Sequence, residues 1–166
     1  MATARKVLET DGPDALTMRR LADELGIRAP SLYKHFASKQ AVESALIEDE
    51  LAEIGKQGYE AIADHGGLGP VGNLLRVYRV YSVEHPHLYR LVTSGRLHRD
   101  ELTPGLEQWA GRPWALAAGE SYRGQALWAF AHGTATLEID GRFLEGSDLD
   151  RTWAAGAAAF AATADP

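Results

Sequence analysis

Between Arg28 and Lys39 the sequence sets out Arg28, Ser31, Tyr33, Lys34, His35 and Lys39 without one Asp or Glu among them. Guanidinium, ammonium, imidazole and hydroxyl groups in one short stretch are donors to anionic oxygen. That is the chemistry of phosphate contact, and a few such side chains at the start of a helix also reach base edges. Leu32 and Phe36 stand four residues apart, so they share one helical side and leave the polar residues on the other.

Two helices and a turn must hold these groups. Leu16, Met18, Leu21, Ala22 and Leu25 form a 3.6-type apolar face. Thr17 precedes it and supplies a side-chain oxygen for the free N–H groups of the first turn. Gly26 ends that helix, because glycine takes a positive φ without a Cβ clash. Ile27 reads as an apolar anchor in the turn, and Pro30 suits the start of a second helix, where its missing N–H costs nothing. Two short helices around a Gly turn are a helix-turn-helix signature.

Leu16-Thr17-Met18-Arg19-Arg20-Leu21-Ala22 followed by Ala29-Pro30-Ser31-Leu32-Tyr33-Lys34-His35-Phe36-Ala37-Ser38-Lys39 closely resembles the DNA-binding head of the TetR family of one-component transcriptional regulators. The resemblance implies that Tyr33, His35 and Lys39 grip phosphates. It implies that Arg28, Ala29, Pro30, Ser31 and Lys34 face the major groove, with Thr17 and Arg19 on the backbone beside it. Arg28 stands where the family commonly has a small hydroxyl residue; a helix cap is lost there and a cation gained. The family usually carries several, often basic, residues ahead of the first helix. This sequence starts at Met1, which reads as either a short first helix or a truncated start.

The bulk numbers fit that division. The chain has 166 residues and a net charge of −6, which argues against binding nucleic acid over its whole surface. Residues 1–40 nevertheless hold seven Lys/Arg against five Asp/Glu, and residues 41–166 hold ten against eighteen. A basic tip on an acidic body suits a protein that meets DNA with one end. With no cysteine, disulfides and thiolate metal sites are excluded. No signal peptide and no long apolar run are present, so the expectation is a soluble cytoplasmic protein, nucleoid-associated when bound to DNA, with no membrane partner.

Sparse β-branched residues and plentiful Ala, Leu and Glu predict an all-α fold of about nine helices. Residues 1–40 are read as the helix-turn-helix domain and residues 41–166 as a helical effector-binding and dimerisation domain. A first helix is expected over 2–11 and a long one from Lys39 to about Ala63, capped by Ser38. Within it Glu48-Asp49-Glu50 reads as a solvated face rather than a metal cluster, because consecutive residues point around a helix. Gly67, Gly69 and Gly72 satisfy G-x-G-x-x-G, but a helix precedes them, so they read as a helix–helix loop. Helices are expected over 71–84 and from Pro86, with His85 and His87 on different sides. Gly95 to Gly105 reads as irregular and mobile, and 105–118 as a helix broken or kinked at Gly111 and Pro113. Further helices are expected from Gly119 to Ile139 and from Leu149 to Thr163.

The aromatic residues Tyr78, Tyr81, Trp109, Tyr122 and Trp128, with His132, are candidates for lining a mostly apolar effector pocket. The small residues Ala126, Ala129, Gly133, Ala155, Gly156 and Ala159 let terminal helices pair with their copies in a homodimer. His85-Pro86-His87-Leu88-Tyr89-Arg90-Leu91 with Trp128-Ala129-Phe130-Ala131-His132-Gly133 looks like the Trp-His-Gly type of TetR C-terminal module, which supplies no effector identity. No cofactor and no metal are implied. An enzyme would have to pair His132 with Glu138 or Asp140, six or eight residues along a helix, and no nucleophile with an adjacent base is present; a helical protein–protein adaptor is the other alternative. The function read from the sequence is a ligand-released, DNA-binding regulator, a repressor by family analogy, on a palindromic operator.

Overall fold

The computed structural model describes residues 1–94 and 97–161. Among them are nine α-helices, two 3-10 turns and no strand. The helices are α1 (Ala2–Asp11), α2 (Met18–Glu24), α3 (Ala29–Tyr33), α4 (Lys39–Ala63), α5 (Gly69–Glu84), α6 (Pro86–Thr93), α7 (Leu106–Ala118), α8 (Ser121–Ile139) and α9 (Leu149–Phe160). The 3-10 turns are Pro13–Ala15 and Arg99–Glu101. The chain divides into two compact units, one of residues 1–52 with 85–106 and one of residues 53–84 with 107–166. The first therefore takes in more than the residues 1–40 expected of a head, since it includes the first half of α4, α6 and the turn after α6.

The core of the first unit is built from Ala4, Val7 and Leu8 of α1, Leu16, Met18, Leu21, Ala22, Leu32, Val42 and Leu46, with Leu88 of α6. Burying that apolar set supplies the main drive for three helices too short to persist alone. Leu25 and Ile27 do not join it: they are 47% and 40% exposed, so Leu25 leaves the expected apolar face and Ile27 is not the expected anchor. The turn is fixed by backbone instead. Gly26 has φ +65°, its N–H donates to the Asp23 carbonyl, and the Ile27 N–H donates to Ala22, the pattern that closes a helix through a left-handed residue.

The acidic run on α4 also differs from expectation. Asp49 is exposed, but Glu50 is fully buried and paired with Arg5 of α1, and Glu48 accepts from the Thr103 N–H. Glu50 lies four residues beyond Leu46 and eight beyond Val42, on the buried stripe itself.

In the second unit α5 packs on α8 and α9, and α8 on α9. The 67–72 glycines fall in the α4–α5 loop and the first turn of α5. α7 is continuous from Leu106 to Ala118 despite Pro113, so the expected break is absent. One proline removes a single helical hydrogen bond, and its buried ring lies in the packed interior. Gly95, Arg96 and Thr163 lie outside the described residues. Residues 97–105 carry the second 3-10 turn, and α9 ends at Phe160.

Candidate nucleic-acid interface

The helix-turn-helix is fixed by its caps. The Thr17 side chain accepts from the Arg20 N–H at 3.1 Å, which starts α2. Arg28 is the extended residue before α3, and its side chain makes no cap bond; its carbonyl accepts from the Ser31 N–H at 2.8 Å. Leu32 is buried and Phe36 and Ala29 pack against the core, so α3 is anchored along one side.

The opposite side is open. Arg19, Arg28, Pro30, Ser31, Tyr33, Lys34 and His35 are all exposed, as is Thr17. Tyr33 shows 51% of its surface. The helix itself ends at Tyr33, with Lys34 as its cap and His35 in the turn beyond. Ala29 is half-buried, so its Cβ serves packing as well as any groove.

The cations of this unit are not equivalent. Arg20 donates to Asp11 of α1 at 3.0 Å and to Glu24 at 3.0 Å, tying α2 to the end of α1. Lys39 donates to the Pro13 carbonyl at 3.0 Å and lies 3.4 Å from Glu43. Ion pairs within 4.0 Å are absent for Arg19, Arg28 and Lys34 among the described residues. Arg19, Arg28 and Lys34, on and beside α3, are thus open.

The pocket candidates separate in the second unit. A shallow cleft is lined by Ile54, Gln57, Leu74, Val77, Tyr78, Tyr81, Ala110, Pro113 and Trp114 among others. Tyr78 and Tyr81 are in that lining, and Tyr78 meets Trp114 edge-on with centroids 5.1 Å apart. Trp109 is outside it, against Tyr59 at 5.4 Å. Tyr122 is 79% exposed, and Trp128, 44% exposed, stacks on His132 at 5.6 Å. Burial pushes the His132 imidazole below its ordinary value. Trp114, which is not among the sequence candidates, also lines the cleft.

The small-residue set also divides. Ala126, Ala129, Gly133, Ala155 and Ala159 are exposed in the protomer. Gly156 is buried in the chain itself; a Cβ there would sit 2.1 Å from the Phe130 ring. The buried side of α8 is instead Gly124, Leu127, Ala131, Thr134 and Ala135.

Glu138 is not available as an acid–base partner. Arg79 donates to it through Nε at 3.0 Å and Nη2 at 2.7 Å, and the Trp153 indole N–H donates at 2.8 Å. The Arg79 guanidinium also reaches Asp150 at 2.6 Å and lies 5.8 Å from the centroid of the Trp153 ring. Its pKa is raised, first by the bond to Glu138, with burial opposing. Among the described residues no group of three metal-ligating side chains gathers, and no helix is long and apolar enough to cross a membrane.

Residues 1–46 match the family described as bacterial regulatory proteins, tetR family, and residues 71–160 match the tetracyclin repressor-like C-terminal domain. An uncharacterized HTH-type transcriptional regulator of Mycobacterium tuberculosis is 31% identical over 147 residues, covering 81% of this chain and 66% of its own. The class A tetracycline repressor of Escherichia coli is 48% identical over 50 residues, 30% of this chain and 23% of that protein. The chain thus spans two thirds or less of the length of these curated relatives. Among solved structures, BioQ of Mycobacterium smegmatis superimposes with a TM-score of 0.64 at 26% identity, over 96% of this chain and 91% of that one. A TetR variant from Acinetobacter baumannii in complex with minocycline gives 0.65 at 23%, over 96% and 90%, a likeness of fold.

Proposed function

The chain belongs to the TetR family of bacterial regulatory proteins, and from that premise we propose that it is a ligand-responsive transcriptional regulator, a repressor that binds a palindromic operator as a homodimer. The observation that carries this reading is the open side of α3: Arg28, Ser31, Tyr33, Lys34 and His35 exposed together, anchored behind by Leu32 and Phe36. Cations and hydroxyls on a short, rigidly backed helix are what a major groove receives. In this reading Tyr33, His35 and Lys39 meet phosphates, Thr17 and Arg19 the adjoining backbone, and Arg28, Ala29, Pro30, Ser31 and Lys34 the groove.

One such helix reads few bases, and two of them about 34 Å apart read a two-fold site. The exposed row of Ala126, Ala129, Gly133, Ala155 and Ala159 supports a close helix pairing between copies. The effector site is assigned to the cleft beside Tyr78, Tyr81 and Trp114, which offers apolar walls and few polar groups. An effector acts there by its differential affinity for DNA-bound and free forms. The working place of such a protein is the cytoplasm, on the nucleoid. The Trp-His-Gly subtype stays a finer proposal resting on Trp128, His132 and Gly133.

Selection of bound sequences from random duplex DNA tests the function, with a two-fold symmetric consensus expected. Against that consensus, Tyr33→Ala and Lys39→Ala weaken binding to all sequences alike, whereas Ser31→Ala and Lys34→Ala change which bases are preferred. A folded protein that enriches no sequence and shifts no duplex at low salt overturns the proposal.

A further inference from the structure

We propose that Glu43 is an internal counterion for Lys39, competing with the duplex for its ammonium and so lowering sequence-independent DNA affinity. The inference rests on the DNA-binding reading above and adds a residue to it.

Among the described residues, Lys39 is the one proposed cationic phosphate contact that already faces a carboxylate within the chain. Its ammonium has three donor protons. One is given to the Pro13 carbonyl at 3.0 Å, and a second faces the Glu43 carboxylate at 3.4 Å. Arg19, Arg28 and Lys34 have no such carboxylate within 4.0 Å among the described residues. The pair is also weakly held. Lys39 precedes Glu43 by four residues, the less favourable order for a helical ion pair, and it sits in the first turn of α4, where the helix dipole disfavours a cation. Both side chains are part-exposed, at 42% and 28%. A phosphate therefore takes the ammonium from Glu43 at small cost but not at none.

Non-specific binding is almost wholly a matter of neutralised phosphates and released counterions. A cation already balanced within the chain releases fewer. Glu43 thus trims the term that every sequence shares and leaves Arg28, Ser31 and Lys34, the proposed base readers, untouched. Specific and non-specific affinity fall by the same factor, so Glu43 sets the overall strength of binding and not the ratio between sequences.

A double-mutant cycle on the full chain tests this, using a labelled duplex of scrambled sequence and fluorescence anisotropy across a salt series. Glu43→Gln is expected to tighten binding about two- to fivefold at low salt and to steepen the salt dependence. Lys39→Met is expected to flatten the log–log slope by about 0.9 per bound subunit. In the Lys39→Met background, Glu43→Gln should lose most of its gain. Asp23→Asn, an exposed acid at the end of α2, serves as a control for the general field of the head. Equal gains from Glu43→Gln in both backgrounds, or no gain in either, overturn the inference while leaving DNA binding intact. Failure of the wild-type chain to bind any duplex removes both readings.

Discussion

Glu138 to Ala is the sharpest single test of how the second unit is held together. Three elements meet at this carboxylate: α5 through Arg79, α9 through Trp153, and its own α8. Arg79 and Glu138 are 24% and 13% exposed, so most of the pair is out of water. Removing one partner of a fully buried pair costs about 3–5 kcal/mol, because the other charge stays behind. Partial exposure lowers this to the bottom of that range, about 3 kcal/mol. For a chain of this length that corresponds to a fall of about 6–12 °C in the melting midpoint. Asp150, on the same guanidinium at 2.6 Å, is 89% exposed, and Asp150→Ala should leave the midpoint nearly unmoved. Glu138→Gln keeps an oxygen for the Trp153 indole and should fall between the two. The assay is thermal unfolding followed by tryptophan fluorescence. All four tryptophans, Trp109, Trp114, Trp128 and Trp153, lie in the second unit, so the signal reports that unit. Equal losses from Glu138→Ala and Asp150→Ala would refute the reasoning, since burial would then not set the scale.

A matched glycine pair separates space from propensity. Gly156→Ala drives a methyl into a Phe130 ring already set against Trp153 and Phe160, and should cost about 1–3 kcal/mol. Gly111→Ala, with nothing within 4 Å, should gain about 0.5–1 kcal/mol, and thermal melts of the two variants must move in opposite directions. Arg5→Ala leaves the wholly buried Glu50 carboxylate without its guanidinium, so far-UV circular dichroism should show a larger loss of stability than the double variant Arg5→Met/Glu50→Leu, in which no charge is left behind. His132 resists protonation in the folded chain, so the unfolded chain takes up the extra proton as pH falls below about 6.5 and stability falls with it. His132→Gln should flatten the slope of the urea midpoint between pH 7.5 and 5.5; an unchanged slope counts against the burial of that imidazole.

The head was legible in sequence because each of its devices is local. Thr17 caps three residues on, Gly26 turns the chain where it stands, and Leu32 and Phe36 declare their side by their spacing. What escaped depended on distant partners. Glu50 looked solvated beside Glu48 and Asp49, and its ion-pair partner Arg5 stands 45 residues earlier. The stripe Val42–Leu46–Glu50 was the available signal, masked by the polarity of its last member. Lys39 looked open because nothing in its neighbourhood announces the Pro13 carbonyl. The cleft lining was half legible: Tyr78 and Tyr81 fall on the buried side of α5, but Ile54, Pro113 and Trp114 come to them from two other helices.

Helix α8 shows why periodicity alone fails in the second half. Its buried side, Leu127, Ala131, Thr134 and Ala135, faces the rest of the chain. Of the stripe that the spacing suggests, Tyr122, Ala126, Ala129, Phe130, Gly133 and Leu137, Phe130 is half-buried against Trp153 and Phe160, and the other five are exposed. Two apolar sides on one helix give no single direction for a period to point. A surface helix with one partner ordinarily shows one apolar side and one charged side. An apolar second side, small enough for close approach, is the pattern of a helix with a second partner. That is the physical ground on which the proposed dimer stands, and it makes Gly133→Glu the decisive change: with nothing within 4 Å of its Cβ in the protomer, it should leave the fold intact and abolish the dimer in equilibrium sedimentation. A Gly133→Glu dimer of undiminished affinity would place the interface elsewhere.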